Sequence, residues 1–99
     1  GVAVDLLAIA EALMALGRLK DAGERIDESM KLSKEMGDNR SAENALKMRG
    51  QLRLNLGETA AGEADLREAL SLSESSGDRL AVKEIRELLE ALESGKPVR

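Results

Sequence analysis

Leucine, isoleucine, valine, alanine and methionine recur along this chain three and four positions apart, the period of a helix with an inward face. Glycine separates five such runs. The first, from Ala3 to Leu16, carries Leu6, Ile9, Ala10, Leu13 and Leu16 at helical spacing, while Val4, Leu7, Ala8, Met14 and Ala15 make its other faces apolar as well. A helix apolar all round expects cover on more than one side. The second, Leu19 to Met36, turns Leu19, Ala22, Gly23, Ile26 and Met30 inward, with Ser29 and Leu32 at the margins. Its charged residues Lys20, Asp21, Glu24, Arg25, Asp27, Glu28 and Lys31 face outward, and Gly23 offers room for another backbone.

The third run, Arg40 to Leu56, has an arc of Ala42, Ala45, Leu46, Gly50, Leu52 and Leu56, broken by Arg49 and Arg53 where leucines are expected. Buried alone, two guanidinium groups are costly, so each must meet a carboxylate or reach water. Glu24, Glu28, Asp65 and Glu68 are the carboxylates in reach from neighbouring helices. The fourth helix has the stripe Ala61, Gly62, Leu66, Ala69, Leu70 and Leu72 and ends in the polar run Ser73 to Ser76. The fifth, Arg79 to Ser94, has one stripe of Ala81, Val82, Ile85, Leu88, Leu89 and Leu92, opposite Lys83, Glu84, Arg86, Glu87, Glu90 and Glu93.

The stops between helices are Gly17, Gly37, Gly57, Gly77 and Gly95, since glycine closes a helix in the left-handed conformation without a Cβ clash. Asp38 or Asn39, and Thr59, are the expected N-caps. Gly17 to Gly57 and Gly37 to Gly77 are both steps of 40 residues. Leu6 and Leu46, Glu28 and Glu68, Leu32 and Leu72, and Ser33 and Ser73 share that step, so the chain reads as an array of helical hairpins.

Composition narrows the chemistry. The 99 residues suffice for one core, and without Phe, Trp or Tyr that core is aliphatic, which favours helices over sheet. With no Cys or His there are no disulfides, no Cys/His zinc site and no histidine base, and neither metal nor cofactor is expected. A net charge of −4 and the lack of aromatic stacking groups weigh against nucleic acid. Asp5 and Glu11 interrupt a first helix already short of the ~20 residues that cross a bilayer, so no membrane partner is expected either. The sequence has no basic leader or cleavage-site pattern, which makes the cytoplasm the expected compartment. It opens at Gly1 without a polar lead-in, the look of a piece of a longer protein, with a processed start as the plainer alternative. Carboxylate pairs such as Glu84 and Glu87 lack any evident pocket to separate their acidities, so no enzyme is expected.

The first unit offers Leu6, Ile9-Ala10, Leu13, then Ala22 and Ile26; the second offers Leu46, Arg49-Gly50, Arg53, then Gly62 and Leu66. At these spacings the chain resembles the tetratricopeptide repeat family, over nearly its whole length. Its unit is longer than the family's usual ~34 residues, lacks the closing proline and lacks the aromatics, so it looks like a long-repeat branch. The resemblance implies an all-α protein, an α-α superhelix of two hairpins plus a C-terminal capping helix. The expected limits are one repeat domain over 1–95, with units at about 3–38 and 41–78, a cap at about 79–94 and a flexible tail over 96–99.

In that family the first helix of each pair lines a concave groove that holds a peptide or helix of a protein partner. Carried over, the lining is Val4, Leu7, Glu11 and Met14 from the first helix and Asn44, Lys47, Gln51 and Asn55 from the third. The plainer alternative is that the last four form a solvated face. Asn44 and Lys47 hint at the carboxylate clamp of chaperone-binding members, but the clamp's other residues have no counterparts here. A separate reading is structural: Val2, Val4, Leu7 and Met14 lie outside the stripe that the second helix covers and offer a surface for self-association.

Overall fold

A computed structural model describes residues 2–94, with side chains from Asp5 onward. It consists of five helices: α1 (Val2–Ala15), α2 (Leu19–Met36), α3 (Asn39–Asn55), α4 (Thr59–Ser76) and α5 (Arg79–Glu93). Among the described residues there is no strand. The connections follow the glycine signals. Gly37 takes φ 67°, its N–H donates to the Lys34 carbonyl at 3.3 Å, and the Asp38 N–H donates back to Ser33 at 2.8 Å. Two orphan carbonyls are thereby satisfied, and the chain turns within two residues. Gly77, with φ 76°, repeats this turn between α4 and α5. Gly95 and the tail lie outside the described residues.

Asp38 caps α3: its carboxylate accepts from the Ser41 amide at 3.1 Å and the Ser41 hydroxyl at 2.7 Å. The hydroxyl bond, then the amide bond, hold the Asp38 pKa below the usual aspartate value. Asp78 caps α5 through the Ala81 amide at 3.1 Å. Thr59 is not a cap. It is the first residue of α4, and Glu58 holds the preceding position without a side-chain hydrogen bond.

Each helix packs on its sequence neighbour, and α1 also meets α3. Connections of two or three residues between packed neighbours make successive helices antiparallel. The molecule is only 19 Å thick against 36 and 33 Å, about two helix diameters. Its core runs through the slab as Leu7, Ala10, Ala22, Ile26, Met30, Ala45, Leu46, Leu52, Leu66, Ala69, Ile85 and Leu89. Ser33 and Ser73 are fully buried too, each donating to the carbonyl four residues earlier at 2.8 Å. The polar run at the end of α4 therefore begins inside the core, where its own helix satisfies the hydroxyl.

At Gly50 and Gly62 the backbones of α3 and α4 come close together. A Cβ on Gly62 would stand 2.9 Å from the Gly50 carbonyl oxygen, and one on Gly50 would stand 3.1 Å from that of Gly62. At Gly23 the nearest atom is a Leu52 methyl at 3.5 Å, so that glycine faces a side chain and not a backbone.

Arg49 and Arg53 converge on Asp65, whose side chain is 7% exposed. Arg49 donates two hydrogen bonds to its carboxylate, both at 3.0 Å, and Arg53 donates one at 2.9 Å. Asp27, expected to face only solvent, takes a third bond from Arg49 at 3.2 Å. Burial works to lower the Arg49 pKa, but the bonds and charge of Asp65, then those of Asp27, outweigh it and leave the pKa raised. Of the four carboxylates weighed from sequence, Asp65 forms this link. Glu24 and Glu28 lie beside Arg25 instead, at 4.0 and 3.8 Å.

Candidate functional site

A concavity lies where α1 passes α3. It has a volume of about 590 Å³ and is lined by Leu7, Ala8, Glu11, Met14, Asn44, Lys47, Met48 and Gln51. The lining follows from helical period: Leu7, Glu11 and Met14, and likewise Asn44, Lys47 and Gln51, fall three or four residues apart on one face of their helix. Six of the eight groove positions read from sequence are thus brought together. Asn55, exposed at the end of α3, lies outside this lining, and the side chain of Val4 is outside the described residues. Ala8 and Met48 are additions that sequence reading missed. Each stands next to a residue of the same face, so the helical period itself was the available signal.

Leu7 is not a free groove residue. It is 6% exposed and belongs to the core, so it shapes the floor from beneath, and Met14 is half-buried against the same core. This also corrects the proposed self-association surface, of which Leu7 and Met14 were half; Val2 and Val4, the other half, have side chains outside the described residues. Among the described side chains of α1 the exposed apolar residues are Ile9, at 49%, with Ala8, Ala12 and Ala15, and Leu16, just past the helix, is 73% exposed. Ile9 shares the helical spacing of Leu6, Ala10 and Leu13 yet is half exposed. An α1 apolar on every side gives its periodicity no direction, so the rotation about its axis is set by contact with α2 and α3.

Beyond α3 the surface continues toward α5. Lys47 reaches Glu84 at 3.1 Å, with both side chains partly exposed. A second depression there is lined by Lys47, Gln51, Glu84, Glu87 and Leu88, and a third by Glu87, Glu90, Ala91 and Ser94. Shared residues join the three: Lys47 and Gln51 connect the first to the second, and Glu87 connects the second to the third. The lane changes character as it crosses the molecule. Its α1 side is Leu7, Ala8 and Met14 with the carboxylate of Glu11, its middle on α3 carries Met48 with two amides and an ammonium, and its α5 side is mainly carboxylate. These groups can bury apolar side chains, exchange hydrogen bonds and pair with cations, which is the chemistry of recognition.

Among the described residues no cluster of three or more acidic side chains is arranged to hold a metal ion, and no helix is long and apolar enough to cross a membrane. Comparison with family models, with curated proteins and with solved structures gives no match for this chain.

Proposed function

We propose that the chain is a protein–protein interaction module of the tetratricopeptide kind, an α-α superhelix that binds a peptide or helix of another protein in the α1–α3 groove. Its setting is a larger regulatory or adaptor protein. The observation that carries this reading is the groove itself, lined by the first helices of two units 40 residues apart and floored by aliphatic and methionine side chains. Thioether and methyl groups there accept varied apolar side chains, while Asn44 and Gln51 offer amides to a ligand's backbone.

Selection of displayed peptides against the purified chain, followed by amide chemical-shift mapping, tests the reading. Shifts are expected to gather at Ala8, Glu11, Asn44 and Gln51. Ala8 is exposed, so Ala8→Trp fills the groove without entering the core. It should weaken the selected peptides about ten-fold or more at unchanged helicity. A purely structural segment would yield no peptide mapping to this face, and shifts confined to the outer faces of α2 and α4 would overturn the proposal.

A further inference from the structure

The lane that crosses the molecule has one apolar end and one acidic end, and that asymmetry constrains what fits. Its three depressions carry four carboxylates, Glu11, Glu84, Glu87 and Glu90, against the single ammonium of Lys47, which Glu84 already engages. Three of the four, Glu84, Glu87 and Glu90, stand on the α5 bank, while the α1 side presents Ala8 and Met14 above Leu7, with Met48 of α3 beside them and Glu11 as its one carboxylate. From these complementary needs we infer that the partner is an amphipathic basic helix. It lies over α3 with its apolar side in the α1–α3 groove and lysines or arginines directed at Glu87 and Glu90. The inference rests on the groove reading above and adds the chemistry of the occupant.

Geometry favours a helix over an extended strand. Packed helices stand about 8–10 Å apart, and a helix with side chains is about 10–12 Å across. A helix seated over α3 has the α1 lining on one side and, past Lys47 and its partner Glu84, the α5 carboxylates on the other. Glu87 and Glu90 are three residues apart on α5, about one turn, so both are open to cations spaced three or four residues apart on the partner. Both carboxylates are exposed. Their contribution is accordingly to orientation and association rate and is sensitive to salt, with the apolar groove supplying affinity.

Three synthetic helical peptides of equal length test this by fluorescence anisotropy: an amphipathic helix flanked by lysines, the same apolar face flanked by glutamates, and a lysine peptide with no apolar face. The amphipathic lysine peptide is expected to bind about ten-fold or more tighter than its glutamate counterpart at low salt. Glu87→Lys with Glu90→Lys should reverse the preference, with helicity unchanged by circular dichroism. Ala8→Trp should weaken the lysine peptide, and high salt should narrow the gap. Equal binding of the two amphipathic peptides, both lost in Ala8→Trp, would overturn the charge assignment and leave the groove reading standing. Equal binding of the apolar-free lysine peptide would reduce the effect to bulk attraction and also overturn it. If no designed peptide binds while a selected neutral peptide maps to the groove, the inference fails alone; if none binds from any source, both readings fall.

Discussion

Asp65 ties two cations of α3 to α4 through one nearly buried carboxylate. In the first unit the positions of Arg49, Arg53 and Asp65 are held, 40 residues earlier, by Ile9, Leu13 and Arg25. One unit therefore has an exposed isoleucine, a half-buried leucine and an arginine where the other has a carboxylate shared by two guanidinium groups. Arg25 illustrates the cost of charge at that place, since its Nε is buried without a hydrogen-bond partner. Removing the Asp65 charge, as in Asp65→Asn, leaves two cations facing one another. A fully buried pair broken in this way costs about 3–5 kcal/mol; Arg49 and Arg53 are 22% and 32% exposed, which brings the expectation to about 2–3 kcal/mol. Replacing the whole group by apolar residues, as Arg49→Ile, Arg53→Leu and Asp65→Leu together, should instead return stability to within ~1 kcal/mol of the starting protein or above it. Urea unfolding of the two variants decides the matter. A triple variant as unstable as Asp65→Asn would show that the link between α3 and α4 depends on the ion pairs themselves.

At the scale of the helices, glycine has two uses that sequence alone does not separate. Within a helix it costs up to about 1 kcal/mol relative to alanine, a loss worth accepting only where a Cβ has no room. Gly62 lacks that room because its neighbour is the Gly50 carbonyl of α3, a backbone atom that cannot swing aside. Gly62→Ala should push the two helices apart and destabilise by about 1–3 kcal/mol despite the better helix former. Gly23→Ala meets only the Leu52 methyl at ordinary contact distance and should stabilise by about 0.5–1 kcal/mol. Thermal unfolding that gave both substitutions the same sign would contradict this distinction. The same contrast shows what was legible beforehand. Helix ends could be read because caps and left-handed glycines act on the few residues around them, and α2 lies where its pattern put it, from Leu19 to Met36. The groove lining could be read in large part because it follows from helical period and a constant offset. The burial of Leu7, the bond from Arg49 to Asp27 and the purpose of Gly23 could not, because each depends on how two helices are rotated and spaced against one another.

For the molecule as a whole, the first and last helices differ. The fifth helix turns a mostly charged face outward, with Leu80 exposed at its start, whereas α1 leaves Ile9 in water and Leu16 is exposed just past its end. By the 40-residue offset Ile9 corresponds to Arg49, which engages Asp27 of α2, while Ile9 is 49% exposed. A second copy is one way to cover that side, and magnitude sets how well it can do so. A helix of 14 residues is about 21 Å long, and a strip about 10 Å wide along it amounts to roughly 200 Å². A stable interface needs about 800 Å² from each partner. Pairing through α1 alone is therefore expected to be weak, with a monomer at low micromolar concentration and association setting in only towards ~1 mM. Sedimentation equilibrium at rising concentration should show that onset, and Ile9→Glu should abolish it without loss of helicity, because Ile9 is outside the core. A tight dimer at low micromolar concentration would require a larger buried surface than α1 can provide. A mass that stayed monomeric throughout, or one that Ile9→Glu left unchanged, would remove α1 as the surface on which copies of this chain meet.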